Sequence, residues 1–95
     1  MDIILGSFIW NKHKEHSNIL QHGVDFYTAA LAFKDPHRKI FIDQAHSSTE
    51  LRHFCIADVA GKILTVRFTY RKQMIRIIGA GYWRKGRVYY ENENS

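Results

Sequence analysis

Seven basic side chains in the second half of the chain stand out by type and spacing: Arg52, Arg67, Arg71, Arg76, Arg84, Lys85 and Arg87. Tyr70, Tyr82, Trp83, Tyr89 and Tyr90 are interleaved with them. Guanidinium groups neutralise phosphates, and aromatic rings stack on unpaired bases, so this mixture suits a single-stranded RNA. The same residues also suit a plainer use, with the rings filling a small core and the arginines solvated. Arg76 is the sharpest case. It lies between apolar neighbours and needs a partner, either a carboxylate or a phosphate.

A second group could move protons. Glu50, Arg52 and His53 precede or open a predicted strand, close in sequence to His46. A carboxylate or imidazole there can take a proton from a ribose 2′-hydroxyl while arginines steady the charge on phosphorus. The competing reading is a structural ion pair, Glu50–Arg52 or Glu50–Arg76. The six histidines do not form a metal signature. His13 and His16 are three apart on a predicted helix, no HExxH occurs and Cys55 is the only cysteine, so no metal ligand set is expected. Phosphate-cradling glycine loops and the GxSxG elbow are missing too, which leaves nucleotide hydrolysis and serine esterase chemistry unsupported.

These residues are positioned by a pattern centred on Ile63 to Gly81. Leu64, Val66, Phe68 and Tyr70 alternate with Thr65, Arg67, Thr69 and Arg71, the period of a strand with one buried face. A two-residue loop at Lys72-Gln73 would set Tyr70 against Ile75, Phe68 against Ile77 and Val66 against Gly79. Thr69 would then face Arg76, and Arg67 would face Ile78, on the other side. Lys-Gln is not the Asn-Gly or Asp-Gly pair that such a turn favours, so a longer loop stays open.

Before this pair, Ser7 to Trp10 reads as a short strand. Asn11 is placed to cap a helix from Lys12 to about His22, and Gly23 to end it, with Val24 returning onto Ile19 in a Schellman stop. Asp25 can cap a second helix whose Phe26, Ala29, Ala30 and Phe33 form one stripe and which must finish before Pro36. Lys39 to Asp43 reads as a strand, Gln44 to Thr49 as a polar loop, and Phe54 to Val59 as a strand turned by Ala60-Gly61-Lys62. After Gly81 a short basic helix is expected, limited by Gly86. The expected class is α+β: two N-terminal helices packed on the apolar face of a twisted antiparallel sheet, with a short C-terminal helix.

The totals bound the rest. Ninety-five residues, 45% apolar and 24% charged, make a single domain over 1–95. A net charge of +5 favours an anionic partner. No apolar run of about 18 residues is present, so no membrane span is expected, and the start does not read as a signal peptide. A lone cysteine fits a reducing cytoplasm.

Phe8, Trp10, Lys14, Asn18, His22-Gly23-Val24, Phe26, Ala29 and Ala30, then Asp35-Pro36, Glu50, Arg52, the strand IRIIGA and Tyr90-Glu91, occur in an order that resembles the BrnT toxin family. The resemblance covers nearly the whole chain. It implies a RelE-like fold and a toxin of a type II toxin–antitoxin pair: a metal-independent endoribonuclease, without cofactor, that blocks translation. It also implies a ribbon-helix-helix antitoxin as partner, operator DNA reached only through that complex, and toxin dimers within it. On this reading His22 and Glu50 are the candidate proton-transfer groups, with His53 behind them, and Arg52 and Arg76 complete the catalytic set. Arg67, Trp83, Arg84, Lys85 and Arg87 would bind RNA. The pattern departs from the family at Asn11, at Gln21 and at Gly79-Ala80-Gly81, where relatives often carry Ser-Ala-Arg; Arg84 and Lys85 would supply the charge instead. A non-catalytic RNA-binding module, or a co-repressor that only binds its antitoxin, is the alternative.

Overall fold

The computed structural model describes residues 1–95 as one six-stranded sheet with three α-helices. In chain order the strands are β1 (Asp2–Leu5), β2 (Phe8–Asn11), β3 (Lys39–Ile42), β4 (His53–Val59), β5 (Lys62–Arg71) and β6 (Met74–Gly81). The helices are α1 (Lys12–His22), α2 (Phe26–Leu31), which continues into a 3-10 turn at Ala32–Lys34, and α3 (Arg84–Glu93). The sheet order is β1-β2-β6-β5-β4-β3.

The class is α+β, but two parts of the expected architecture need correction. A β1–β2 hairpin precedes the helices, and β2 runs parallel to β6, so the sheet is mixed rather than antiparallel. Nor do both helices cover the apolar face. Phe26, Ala29 and Ala30 of α2, with Ala32, are buried in the core beside Leu64, Val66, Phe68, Ile77 and Ala80. α1 buries only Asn18 and leaves Ile19 and Leu20 exposed. Its sequence has no apolar stripe to bury, so it takes a different place, along the edge of β6 where β2 leaves off. Asn18 makes that docking specific. Its amide nitrogen donates to the carbonyls of Val24 and Ala80, both at 2.9 Å, and its oxygen accepts from the Ala80 N–H at 3.1 Å. One buried side chain thereby satisfies a strand edge that a seventh strand would otherwise pair.

Local signals at the helix ends act as expected, with one difference. The Asn11 side chain accepts from the N–H groups of His13 and Lys14, and Asp25 from that of Thr28. Gly23 adopts φ 70° and its N–H bonds to the Ile19 carbonyl. This is the simpler left-handed stop rather than a Schellman motif, because Val24 turns into the core instead of back onto exposed Ile19.

The β5–β6 hairpin closes through Lys72 and Gln73, both at positive φ, so the two-residue loop forms without Asn or Gly. Pairing follows the expected register from Arg71↔Met74 to Phe68↔Ile77, then shifts at a bulge. Arg67 pairs with Gly79, and Val66 with Ala80. Unshifted pairing would have brought Gly79 into the core in place of Ala80, so the extra residue, Ile78, keeps a methyl group there. The bulge also leaves Gly79 opposite Arg67 on the far face.

That far face is covered at one end by α3. Gly86 is the contact point: a Cβ built there would lie 2.1 Å from Thr65 Oγ1. The glycine thus permits the helix to lie flat on β5, and α3 runs ten residues despite it. Tyr90 fastens the other end, its hydroxyl donating to Asp35 Oδ2 at 2.6 Å. The same carboxylate accepts from the N–H groups of His37 and Asp58.

Candidate functional site

On the face away from the main core, strand alternation places Arg67 and Thr65 of β5, Phe54 and Ile56 of β4 and Phe41 of β3 together. α3 covers only part of them. What remains is a groove made of two adjoining depressions, of about 460 and 290 Å³, which share Phe54, Thr65, Arg67 and Trp83. Gln21 and His22, at the end of α1, form one wall, and Trp83, Lys85 and Tyr89 form the other.

Trp83 stands at the junction. Its ring meets that of His22 edge-on at 5.0 Å. Beneath it lies Gly81, where a Cβ would fall 2.6 to 2.8 Å from the indole carbons. Gly81 does not have positive φ, so the glycine serves close approach rather than backbone freedom. The space that a side chain at position 81 would fill is taken by a tryptophan ring lying over the strand.

Arg67 is the charge at the floor of the groove. Its guanidinium lies over the Phe54 ring at 5.6 Å and reaches toward the buried Asp43, with Nε 3.5 Å from Oδ2. That contact is an ion pair but not a hydrogen bond, since Arg67 Nε is left without a hydrogen-bond partner. An arginine held in this way keeps donors for an anion. Asp43 also binds His46: Nδ1 lies 3.0 and 3.2 Å from its two oxygens. The loop between them is closed by Ser47, whose hydroxyl donates to the Asp43 carbonyl and accepts from the Arg52 N–H.

α3 begins without a side-chain cap at Trp83. Its first turn carries Arg84, Lys85 and Arg87, and its last carries Glu91 and Glu93. This order opposes the helix dipole and concentrates positive potential where the free N–H groups point. Arg84, Lys85 and Arg87 are exposed.

The structure thus gathers His22, Arg67, Trp83 and Lys85 around one groove, with Arg84 and Arg87 on the adjoining turn. Arg52 is half-buried at the start of β4, and alternation puts it on the side of Phe54. Other candidates go elsewhere. Arg76 donates to Asp2 Oδ2 at 2.9 Å across the sheet edge, and this bond holds the Asp2 carboxyl below its usual range. Glu50 accepts from Arg71 at 3.1 Å near the hairpin turn. His53 stacks on Phe68 on the opposite face. The lone Cys55 is buried, which pushes its thiol up to about 12, so it offers no nucleophile. No three His, Cys, Asp or Glu side chains come together as a potential metal-binding group.

Asp43, Phe41 and Phe54 were not singled out as site residues by the sequence. Phe41 and Phe54 become neighbours only through the β3–β4 register, and Phe41 meets Tyr89 at 4.9 Å only once α3 has folded back. Asp43 had a signal: a carboxylate at the end of a strand, three residues before a histidine.

Comparison with known proteins adds one finding. Residues 10–86 match the family described as "Ribonuclease toxin, BrnT, of type II toxin-antitoxin system". No curated protein matches the chain. The matched span runs from the end of β2 through α1, α2 and the strands β3 to β6 to the start of α3.

Proposed function

The chain belongs to the BrnT family of ribonuclease toxins of type II toxin–antitoxin systems, and from that membership we propose that the groove beside Arg67 is where RNA is bound and cut, without a metal ion. The observation that carries this is the setting of Arg67. Its guanidinium lies over Phe54, with the His22–Trp83 pair on one side and Lys85 on another. A phosphodiester at Arg67 would find a cation for the charge that develops on phosphorus. His22 supplies an exposed imidazole for proton transfer, and Lys85, Arg84 and Arg87 hold neighbouring phosphates. Trp83, Phe54 and Tyr89 give an unpaired base a ring to stack on. Arg52 would supply a second guanidinium for a neighbouring phosphate. Arg76 and Glu50 enter this reading as anchors of the sheet, since each already holds a partner.

The wider assignment follows the family: arrest of translation in the cytoplasm, a RelE-like fold, and neutralisation by a ribbon-helix-helix antitoxin in a complex that contains a toxin dimer and binds operator DNA. The deciding experiment uses purified protein and a defined RNA in EDTA. Arg67→Ala is expected to lower cleavage by about 10²–10³-fold in protein that still folds, with a lower melting temperature because buried Asp43 loses its guanidinium partner. Wild-type protein that cleaves no RNA defeats the proposal. One observation favours a binding-only module: the family's glutamate, Glu50, is held by Arg71 rather than in the groove. That reading predicts salt-sensitive RNA retention with no product.

A further inference from the structure

We propose that His46 is a catalytic base of this chain and that Asp43 is the residue that positions it, an inference that rests on the ribonuclease reading above. The pair has the form of a carboxylate–imidazole dyad. Asp43 is 4% exposed, while the His46 side chain is 52% exposed. Nδ1 faces both carboxylate oxygens, at 3.0 and 3.2 Å. A carboxylate at that nitrogen fixes the tautomer with the proton on Nδ1 and leaves Nε2 as the acceptor.

The imidazole is not needed to close its loop. The Ser47 hydroxyl already bridges the Asp43 carbonyl and the Arg52 N–H, at 2.7 and 2.9 Å, and the Asp43 N–H bonds to the Arg52 carbonyl at 2.8 Å. The charges facing the ring are the Asp43 carboxylate and, behind it, Arg67, which contacts the same oxygen, Oδ2, at 3.5 Å. Asp43 thus ties the imidazole to the guanidinium that stands in the groove. His22 lines the same depression as Arg67.

The reaction balances with these groups alone. Nε2 of His46 takes the proton of the ribose 2′-hydroxyl as the 2′-oxygen–phosphorus bond forms. The phosphorus–5′-oxygen bond breaks, and the leaving oxygen receives a proton from the His22 imidazolium. The products are a 2′,3′-cyclic phosphate and a 5′-hydroxyl, with Arg67 bearing the charge of the phosphorane.

The test is single-turnover cleavage of a defined oligoribonucleotide by the full chain, with RNA affinity and thermal unfolding measured on the same samples. His46→Ala is expected to lose about 10²–10⁴-fold in rate, with affinity and melting unchanged, and added imidazole is expected to restore part of the rate. Asp43→Asn is expected to slow cleavage without this rescue. His46→Gln serves as the second variant should the alanine form fold poorly. A His46→Ala protein that cleaves like wild type, while Arg67→Ala does not, overturns the dyad and leaves the ribonuclease reading standing. Loss of activity that tracks loss of folding in both His46 variants also overturns it, by making the residue structural. A wild-type chain that cleaves no RNA overturns both.

Discussion

Replacing Gly86 by alanine has an effect whose sign should depend on one other residue. In an exposed helix the change would favour folding by about 0.5–1 kcal/mol, because glycine loses more backbone entropy. Here the new Cβ would lie 2.1 Å from Thr65 Oγ1. Forcing an extra methyl into such a contact costs about 1–3 kcal/mol, so Gly86→Ala should be destabilising by roughly 1–2 kcal/mol net. For a chain of this size that is a fall of about 4–16 °C in melting temperature. Thr65→Ala removes the obstruction. The next atoms, Thr65 Cβ at 3.5 Å and Ile56 Cδ1 at 3.6 Å, are at ordinary contact distance. Thr65 Oγ1 has no hydrogen-bond partner to lose. In the Thr65→Ala background, Gly86→Ala should therefore become stabilising by about 0.5–1 kcal/mol. Urea or thermal unfolding of the four proteins gives the coupling directly. Equal effects in the two backgrounds, or stabilisation by Gly86→Ala alone, would refute the account of how α3 seats on the sheet.

Other substitutions probe separate joints. Asn18→Ala removes three hydrogen bonds at a buried strand edge and should cost about 2–4 kcal/mol by denaturant titration, the loss of unpaired backbone groups included. Tyr90→Phe removes the bond to Asp35, worth about 1–2 kcal/mol once half-burial is allowed for. Burial and the Asp35 carboxylate push the Tyr90 hydroxyl up to about 12, so its stabilisation is full below its unfolded value near 10 and fades as pH climbs toward 12. Burial opposes ionisation of Asp35, but hydrogen bonds from Tyr90 and the N–H groups of Asp58 and His37 prevail and lower it. Its contribution is present above the ordinary carboxylate value and is lost as pH falls through the folded one. Stability curves of wild type and Tyr90→Phe should accordingly converge at both extremes, and parallel curves would count against the bond. Gly81→Ala should displace the Trp83 ring, changing tryptophan fluorescence and weakening RNA binding; an unchanged emission spectrum would contradict the stacking over Gly81.

What the sequence showed plainly was whatever is decided within a few residues. The caps at Asn11 and Asp25, the stop at Gly23 and the end of the second helix before Pro36 all depend on local backbone chemistry, and they appear where expected. The hairpin register was legible as far as Phe68↔Ile77, because alternation alone sets it. Beyond that the bulge at Ile78 depends on what Ala80 must pack against, which alternation does not report. β1 was missed because DIIL has no clean alternation and pairs only with its neighbour. The parallel contact of β2 with β6 joins residues more than sixty apart. The arginines show the same limit. That Arg76 needs a partner was readable; that the partner is Asp2 was not, since the two meet only when the first and last strands share a sheet. Gly86 looked in one dimension like a weak point in a helix and Gly81 like a missing charge, and both are places where something else comes close.

The position of β6 has a consequence for how this protein is made. β1 and β2 emerge from the ribosome before the other strands, yet their only neighbour in the sheet beyond each other is β6. α1 likewise waits for Ala80 before Asn18 has anything to hold. The opening segment must therefore stay undocked through most of synthesis, while β3, β4 and β5 can pair in sequence. The groove closes last of all, since Trp83, Lys85 and Tyr89 follow the final strand. A nascent chain carries an incomplete binding surface until α3 has left the ribosome.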